Sequence, residues 1–142
     1  MGGRKMNILF MCVANSARSQ LAEGIAKQIF GNNADIRSAG SQPTQVNPFA
    51  ERALNEVDAE VRSLFSKTVD DLPREFVDQL DYVITLCEEE VCPVVISRAK
   101  KLHWPLPDPA GKGGSDEEQM TRFRVARDEI RRRLEAFSKA LI

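Results

Sequence analysis

Three thiols and one rigid carboxyl are the side chains of this sequence best suited to covalent chemistry: Cys12, Cys87, Cys92 and Asp108. Cys12 follows the apolar run Asn7 to Met11 and precedes the small and polar residues Val13, Ala14, Asn15, Ser16 and Ala17, after which come Arg18 and Ser19. The backbone N–H groups of a loop entering a helix form a cradle for a tetrahedral oxyanion, and the helix dipole favours negative charge there. That field also favours thiolate over thiol, while Arg18 can close over a bound anion with its planar fork. The competing reading is a buried, inert cysteine ending a core strand. Asp108 stands in Leu106-Pro107-Asp108-Pro109, where the prolines keep the backbone extended. A carboxylic acid held there, opposite a nucleophile, would help an oxygen leave as water or alcohol; otherwise Asp108 only makes an Asx turn in a Pro-rich bend.

Cys87 and Cys92 enclose Glu88-Glu89-Glu90-Val91, and Pro93 follows. On a regular helix their sulfurs would project about 140° apart and their Cα atoms would lie roughly 8–9 Å apart. A disulfide spans at most roughly 7 Å between Cα atoms, so a bond here requires the segment to unwind, and Pro93 already disfavours helical geometry at Cys92. Such a bond would be strained and reducible, fit for redox cycling. Two independent core cysteines are the alternative. A zinc site of Cys87, Cys92 and His103 is another, although it lacks a fourth ligand other than Cys12 and has no recognisable spacing.

The elements that must position these groups alternate. Strand-like runs occur at Asn7 to Met11, Asp35 to Ala39, Tyr82 to Leu86 and near Leu102. Between the first two, Leu21, Ala22, Ile25, Ala26 and Ile29 repeat with helical period until Gly31-Asn32-Asn33. Asn47-Pro48 caps a helix with Phe49, Ala50, Ala53, Leu54 and Val57 inward, and a short helix is expected after Asp70-Asp71, up to Gln79. Ser115 and Glu118 form a capping box for a last helix whose inner residues are Phe123, Ala126, Ile130, Leu134, Phe137 and Leu141. Strand alternating with helix reads as a parallel α/β sheet, with ligands beyond the carboxyl ends of its strands. In such a sheet Cys87 shares a rim with Cys12, and the Pro105 to Gly114 loop, which follows the last strand, can reach the Cys12 loop. His103 and Trp104, on opposite faces of a strand, are expected to pack and hydrogen-bond rather than catalyse.

The chain has 142 residues, 42% of them hydrophobic, the size of one domain over residues 1–142. A net charge of −1 argues against a nucleic-acid partner. Arg124, Arg127 and Arg131 to Arg133 alternate with Asp128, Glu129 and Glu135, which suggests a solvated helix face. No segment has the length of a membrane span or of a secretion signal, and an odd number of cysteines argues against a structural disulfide framework, so the cytoplasm is expected.

Taken together, these residues resemble the arsenate reductases built on the low molecular weight protein tyrosine phosphatase fold, the thioredoxin-coupled type in particular. The resemblance is carried by Cys12 through Gln20 with Ala22-Glu23-Gly24, then Ser38-Ala39-Gly40, Val46-Asn47-Pro48, Thr85-Leu86-Cys87, His103-Trp104 and Asp108-Pro109-Ala110-Gly111. It implies a three-layer α/β fold of flavodoxin-like type, a four-stranded parallel sheet flanked by helices. It further implies that Cys12 attacks arsenic, that Arg18 and the amides of residues 13–18 hold the oxyanion, and that Asp108 assists departure of hydroxide. By the same likeness Ser19 hydrogen-bonds the thiolate and Asn15 holds the loop in shape. Cys87 then attacks the sulfur of the arsenic adduct, and Cys92 takes over to leave a Cys87–Cys92 disulfide for thioredoxin. The resemblance implies a monomer with no tightly bound cofactor, apart from a potassium ion held in some members by residues matching Asn15, Glu23, Ser38 and Asp70.

Two departures stand out. Ala17 replaces a second loop cysteine found in many relatives, which removes an intraloop disulfide but not the relay. The Cys87 to Cys92 interval is shorter than in the thioredoxin-coupled type, so glutathione with glutaredoxin, or mycothiol, are alternative donors. Two other functions compete. A phosphatase would use the same loop and acid through a cysteinyl-phosphate, although phosphotyrosine enzymes of this fold carry aromatic residues where Ala110-Gly111-Lys112 stand. A non-enzymatic arsenic or oxyanion sensor would bind without turnover.

Overall fold

A computed structural model describes residues 5–88, 95 and 97–141. Four strands, β1 (Met6–Cys12), β2 (Ala34–Gly40), β3 (Tyr82–Thr85) and β4 (Lys100–His103), form one sheet in the order β2-β1-β3-β4. All three pairings are parallel, with Cys12 opposite Gly40 on one side and Met11 opposite Thr85 on the other. The order reverses at β1, which puts the loop after Cys12 at the switch point where neighbouring connections diverge and leave a crevice.

The central strand is apolar without alternation because both its faces are covered. Ile8 and Phe10 join the core formed with helices α1 (Arg18–Phe30), α2 (Pro48–Asn55) and α4 (Asp116–Ala140). Leu9 and Met11 join a second core with Leu72, Phe76 and Leu80, on the side of α3 (Arg74–Asp78). The result is three layers, as the alternation of strand and helix predicts. Asn47 caps α2 by accepting from the Phe49 N–H, and Ser115 and Glu118 form the reciprocal capping box of α4.

The short helix expected after Asp70-Asp71, up to Gln79, is α3, which starts after Pro73 and is preceded by a tight turn at Val69–Asp71. One expectation needs correction: the arginine-rich face of α4 is not simply solvated. Arg127 is buried and donates to the Ala53 carbonyl at 2.8 Å and to Glu56 at 2.9 Å. Its neighbour Arg124 pairs with the same carboxylate, so Glu56 ties the end of α2 to α4. Glu56 lies far from α4 in sequence, and no helical periodicity exposes such a contact.

Candidate active site

Strand alternation puts the Cys12 side chain on the face of Ile8 and Phe10, towards α1. Cys12 is 3% exposed and is the free cysteine among the described residues. The loop that follows is fixed from outside by its carbonyls. Val13 accepts from the Gln42 N–H at 2.9 Å, Ala14 from Thr44 at 3.1 Å and Ser16 from Asn47 at 3.0 Å. The Asn15 carbonyl accepts from Ser66 Oγ at 2.6 Å and from the Gln20 amide at 3.0 Å. In a trans peptide the C=O and the following N–H point opposite ways. The N–H groups of Ala14, Asn15, Ser16 and Ala17 are therefore turned to the concave side of the loop. Helix α1 starts there with no acidic residue in its first turn, so no side-chain charge competes with an anion.

Two backbone features make this loop possible. Asn15 has φ +48°, a left-handed conformation that asparagine tolerates better than most residues. Gly40 lies directly beneath: a Cβ there would sit 2.4 Å from the Val13 carbonyl oxygen and 2.9 Å from the Asn15 nitrogen. Only a glycine lets β2 approach the loop so closely.

A buried hydrogen-bond chain runs from Cys12 into the fold. Asn15 spends both amide protons, on Ser19 Oγ at 2.8 Å and Ser38 Oγ at 3.0 Å, while its Oδ1 accepts from the Lys67 backbone N–H at 3.0 Å. Ser19 Oγ lies 2.8 Å from Cys12 Sγ. Because Ser19 already accepts from Asn15, its own proton is left to donate to the sulfur once Cys12 is a thiolate. In the other direction Ser38 donates to Glu23 Oε1 at 2.6 Å.

Arg18 is buried at the start of α1. Its Nη1 donates to the carbonyls of Leu86, at 3.3 Å, and Leu106, at 2.9 Å, and its Nη2 lies 3.8 Å from Asp108 Oδ2. The same guanidinium thus ties the Cys12 loop to the end of β3 and to the Pro-rich loop. The Asp108 side chain is 48% exposed, and its Oδ1 accepts from the Ala110 N–H at 3.0 Å. The Asx turn and the acid position are one arrangement, since the turn directs the other carboxylate oxygen towards Arg18.

Cys87 is buried one residue beyond Leu86, whose N–H donates to the Met11 carbonyl, so it stands on the rim of the sheet near Cys12. It is disulfide-bonded. Cys92, and the question of whether its segment unwinds, lie outside the described residues. His103 is exposed and shares a 2.7 Å hydrogen bond with Thr85, and Trp104 packs on Phe137, the packing and hydrogen bonding that these two residues suggested. No group of three or more His, Cys, Asp or Glu among the described residues could hold a metal ion.

Asn15, Ser38 and Glu23 come together as the resemblance implies, but Asp70 does not join them. Asp70 is exposed on the Val69–Asp71 turn, and the side chain that reaches Glu23 is Lys67, with its Nζ 3.6 Å from Oε1. Burial pushes the Lys67 ammonium below the usual lysine range, against the opposing pull of Glu23. Lys67 and Gln20 are the site residues that the sequence did not reveal. Gln20 bridges the Asn15 and Phe65 carbonyls, and its Oε1 has no partner among the described residues. A lysine in the polar stretch Phe65-Ser66-Lys67-Thr68 looks like an ordinary loop residue, and a glutamine at the head of an amphipathic helix looks solvated.

Residues 7–142 match the model of the low molecular weight phosphotyrosine protein phosphatase family. An arsenate reductase of Halalkalibacterium halodurans is 39% identical over 137 residues, covering 95% of this chain and 96% of that one. Among solved structures, the thioredoxin-dependent arsenate reductase of Corynebacterium glutamicum is similar with a TM-score of 0.73 at 27% identity. That match covers 99% of this chain but 63% of the other, so this chain spans less than two thirds of its length. An arsenate reductase solved in its reduced state gives a TM-score of 0.76 at 28% identity, covering 98% of this chain and all of the other.

Proposed function

Since the chain belongs to the low molecular weight phosphotyrosine protein phosphatase family, we propose that it turns this phosphatase loop to redox use and reduces arsenate to arsenite. The observation that carries the reading is Cys87, a second buried cysteine on the rim beside the nucleophile, for which hydrolysis has no use. The identity to an arsenate reductase over nearly the whole chain supports it.

The Cys12 thiolate attacks arsenic(V) held by the loop amides and Arg18, and one arsenate oxygen leaves as water with a proton from Asp108. The Cys87 thiolate then attacks the Cys12 sulfur. A Cys12–Cys87 disulfide forms, the arsenic–sulfur bond breaks with its electron pair going to arsenic, and arsenite is released. The two electrons come from the two thiolates. The Cys92 thiolate next attacks Cys87, frees Cys12 and leaves a Cys87–Cys92 disulfide, which the dithiol of thioredoxin reduces. The disulfide at Cys87 together with the free Cys12 is in keeping with the end of this sequence. Potassium plays no step in it.

The test follows NADPH consumption with arsenate, thioredoxin and thioredoxin reductase, for the wild type and for Cys92→Ser. Sustained turnover in the wild type is expected, with a single turnover in the variant and accumulation of a Cys12–Cys87 disulfide. If thioredoxin fails, glutathione with glutaredoxin, and mycothiol, identify the donor. The family supports a second reading, because the loop and Asp108 suffice to hydrolyse a phosphate monoester through a cysteinyl-phosphate. Monoester hydrolysis with no arsenate turnover from any donor would establish it instead.

A further inference from the structure

The oxygens that a potassium ion would need beside the loop are already committed. Glu23 Oε1 accepts from Ser38 and faces Lys67, and Glu23 Oε2 accepts from Lys27 Nζ at 2.6 Å. Asn15 Oδ1 accepts from the Lys67 N–H, and Ser38 Oγ accepts from Asn15 while donating to Glu23. With two ammonium groups already beside Glu23, the residues do not fit a further cation. What they surround is an ammonium group.

Lys67 Nζ lies 2.9 Å from the Phe65 carbonyl, 3.6 Å from Glu23 Oε1 and 4.4 Å from the centroid of the Phe65 ring. A carbonyl oxygen, a carboxylate and an aromatic face are the surroundings that stabilise a partly desolvated cation. The lysine side chain is 4% exposed, whereas the Phe65 ring that covers it is 57% exposed. An exposed phenylalanine with no core to join is explained if it shields this charge. Lys67 is also tied to the loop through its backbone, which accepts from Gly40 and donates to Asn15.

We infer that Lys67 is a tethered cation: its ammonium takes the place of an alkali ion beside Glu23 and maintains the polarity of the hydrogen-bond chain that runs through Ser38, Asn15 and Ser19 to the Cys12 sulfur. The direction of donation makes the coupling specific. With Glu23 balanced by Lys67, Ser38 donates to the carboxylate and remains an acceptor for Asn15; Asn15 then holds Ser19 as an acceptor, whose proton is left for sulfur. Without the ammonium, Glu23 keeps only the partly exposed Lys27, and the buried chain loses its counter-charge. Lys67 is a positioning residue, since it acts on the nucleophile through Glu23, Ser38, Asn15 and Ser19. The inference rests on Cys12 being the nucleophile and holds whichever oxyanion it attacks.

A cavity of ≈ 530 Å³ open at Glu23, Lys27, Ser63, Phe65 and Lys67 gives a small cation access once the lysine is removed. The test compares the reduced wild type with Lys67→Ala in choline, sodium and potassium chloride at equal ionic strength. It reads the rate of Cys12 alkylation by iodoacetamide, by peptide mass spectrometry, and the thermal midpoint. Neither readout involves arsenate, so a failure here is separable from a failure of the reductase reading. The wild type should be indifferent to the cation. Lys67→Ala should alkylate at least about threefold more slowly in choline, the scale of one weakened charge-assisted hydrogen bond, and should recover speed and midpoint as potassium is added. A wild type that responds to potassium overturns the inference, as does a variant that alkylates at the wild-type rate in every salt or stays slow in potassium. If Lys67→Ala folds only with potassium the inference stands. If neither it nor Lys67→Met folds with any cation, Lys67 is a packing residue and the inference falls.

Discussion

At the scale of single residues, the groups proposed to supply the proton and to hold the anion lie side by side. Arg18 Nη2 and Asp108 Oδ2 lie 3.8 Å apart, and each is anchored elsewhere, the arginine on two carbonyls and the aspartate on the Ala110 N–H. Replacing Asp108 by asparagine keeps the Asx turn, because an amide oxygen also accepts, and removes only the transferable proton. Asp108→Asn is expected to lower turnover by about 10²–10⁴-fold, the usual reach of a general acid. Protection of Cys12 from alkylation by phosphate or arsenate should survive. Equal loss of protection would mean that Asp108 holds the loop and not a proton. The cysteine, the arginine and the aspartate were all legible in sequence, since each owes its meaning to neighbours in the chain: the end of an apolar run, the head of a helix, a pair of prolines.

Among the elements, the approach of β2 to the loop after β1 is the tightest constraint. At Gly40 a methyl group would meet backbone oxygen and nitrogen, atoms that cannot swing aside as a flexible side chain would. Gly40→Ala is therefore expected to displace Val13 to Asn15 and to abolish oxyanion protection of Cys12, by at least about tenfold in apparent affinity, as misplacement of a donor set does. Isothermal titration with phosphate would read the loss. Retained affinity would show that the loop moves as a unit. Helices α2 and α4 were read with their caps from Asn47-Pro48 and from Ser115 with Glu118, because capping is written within four residues. The short helix α3 was read as following Asp70-Asp71, and the tight Val69–Asp71 turn before it was not, because that turn is closed by Thr68 and Asp71 and carries no hydrophobic period.

For the molecule as a whole, α4 closes the layer over α1 and α2, and Arg127 links it to α2 through the Ala53 carbonyl and, together with Arg124, through Glu56. Hydrogen bonds from Arg124 and Arg127 hold the Glu56 carboxyl down from its ordinary value of 4.5 to about 2. A depressed carboxylate contributes stability that is fully present above the unfolded value and disappears as pH falls through the folded one. Stability should thus decline between about pH 4.5 and about pH 2, and Glu56→Gln should flatten that part of the acid unfolding curve followed by circular dichroism. Because the group is exposed, the effect should be small and should shrink in high salt. An unchanged curve would show that the tie contributes nothing.

By itself the sequence determined the order of elements and the residues suited to covalent chemistry. The strand that ends in Cys12, the loop of small residues, Arg18, the rigid Asp108 and the alternation of strands with helices are properties of contiguous residues, visible through periodicity and spacing. Only the tertiary structure decided which distant groups meet. It set the strand order that opens the sheet at β1, brought the Asp108 carboxylate to Arg18, buried Arg127 against Glu56, and placed Lys67 rather than Asp70 beside Glu23. The difference is physical: a cap, a turn or a hydrophobic stripe is completed within a few residues, whereas the partner of a buried charge is chosen by the packing of elements far apart in the chain.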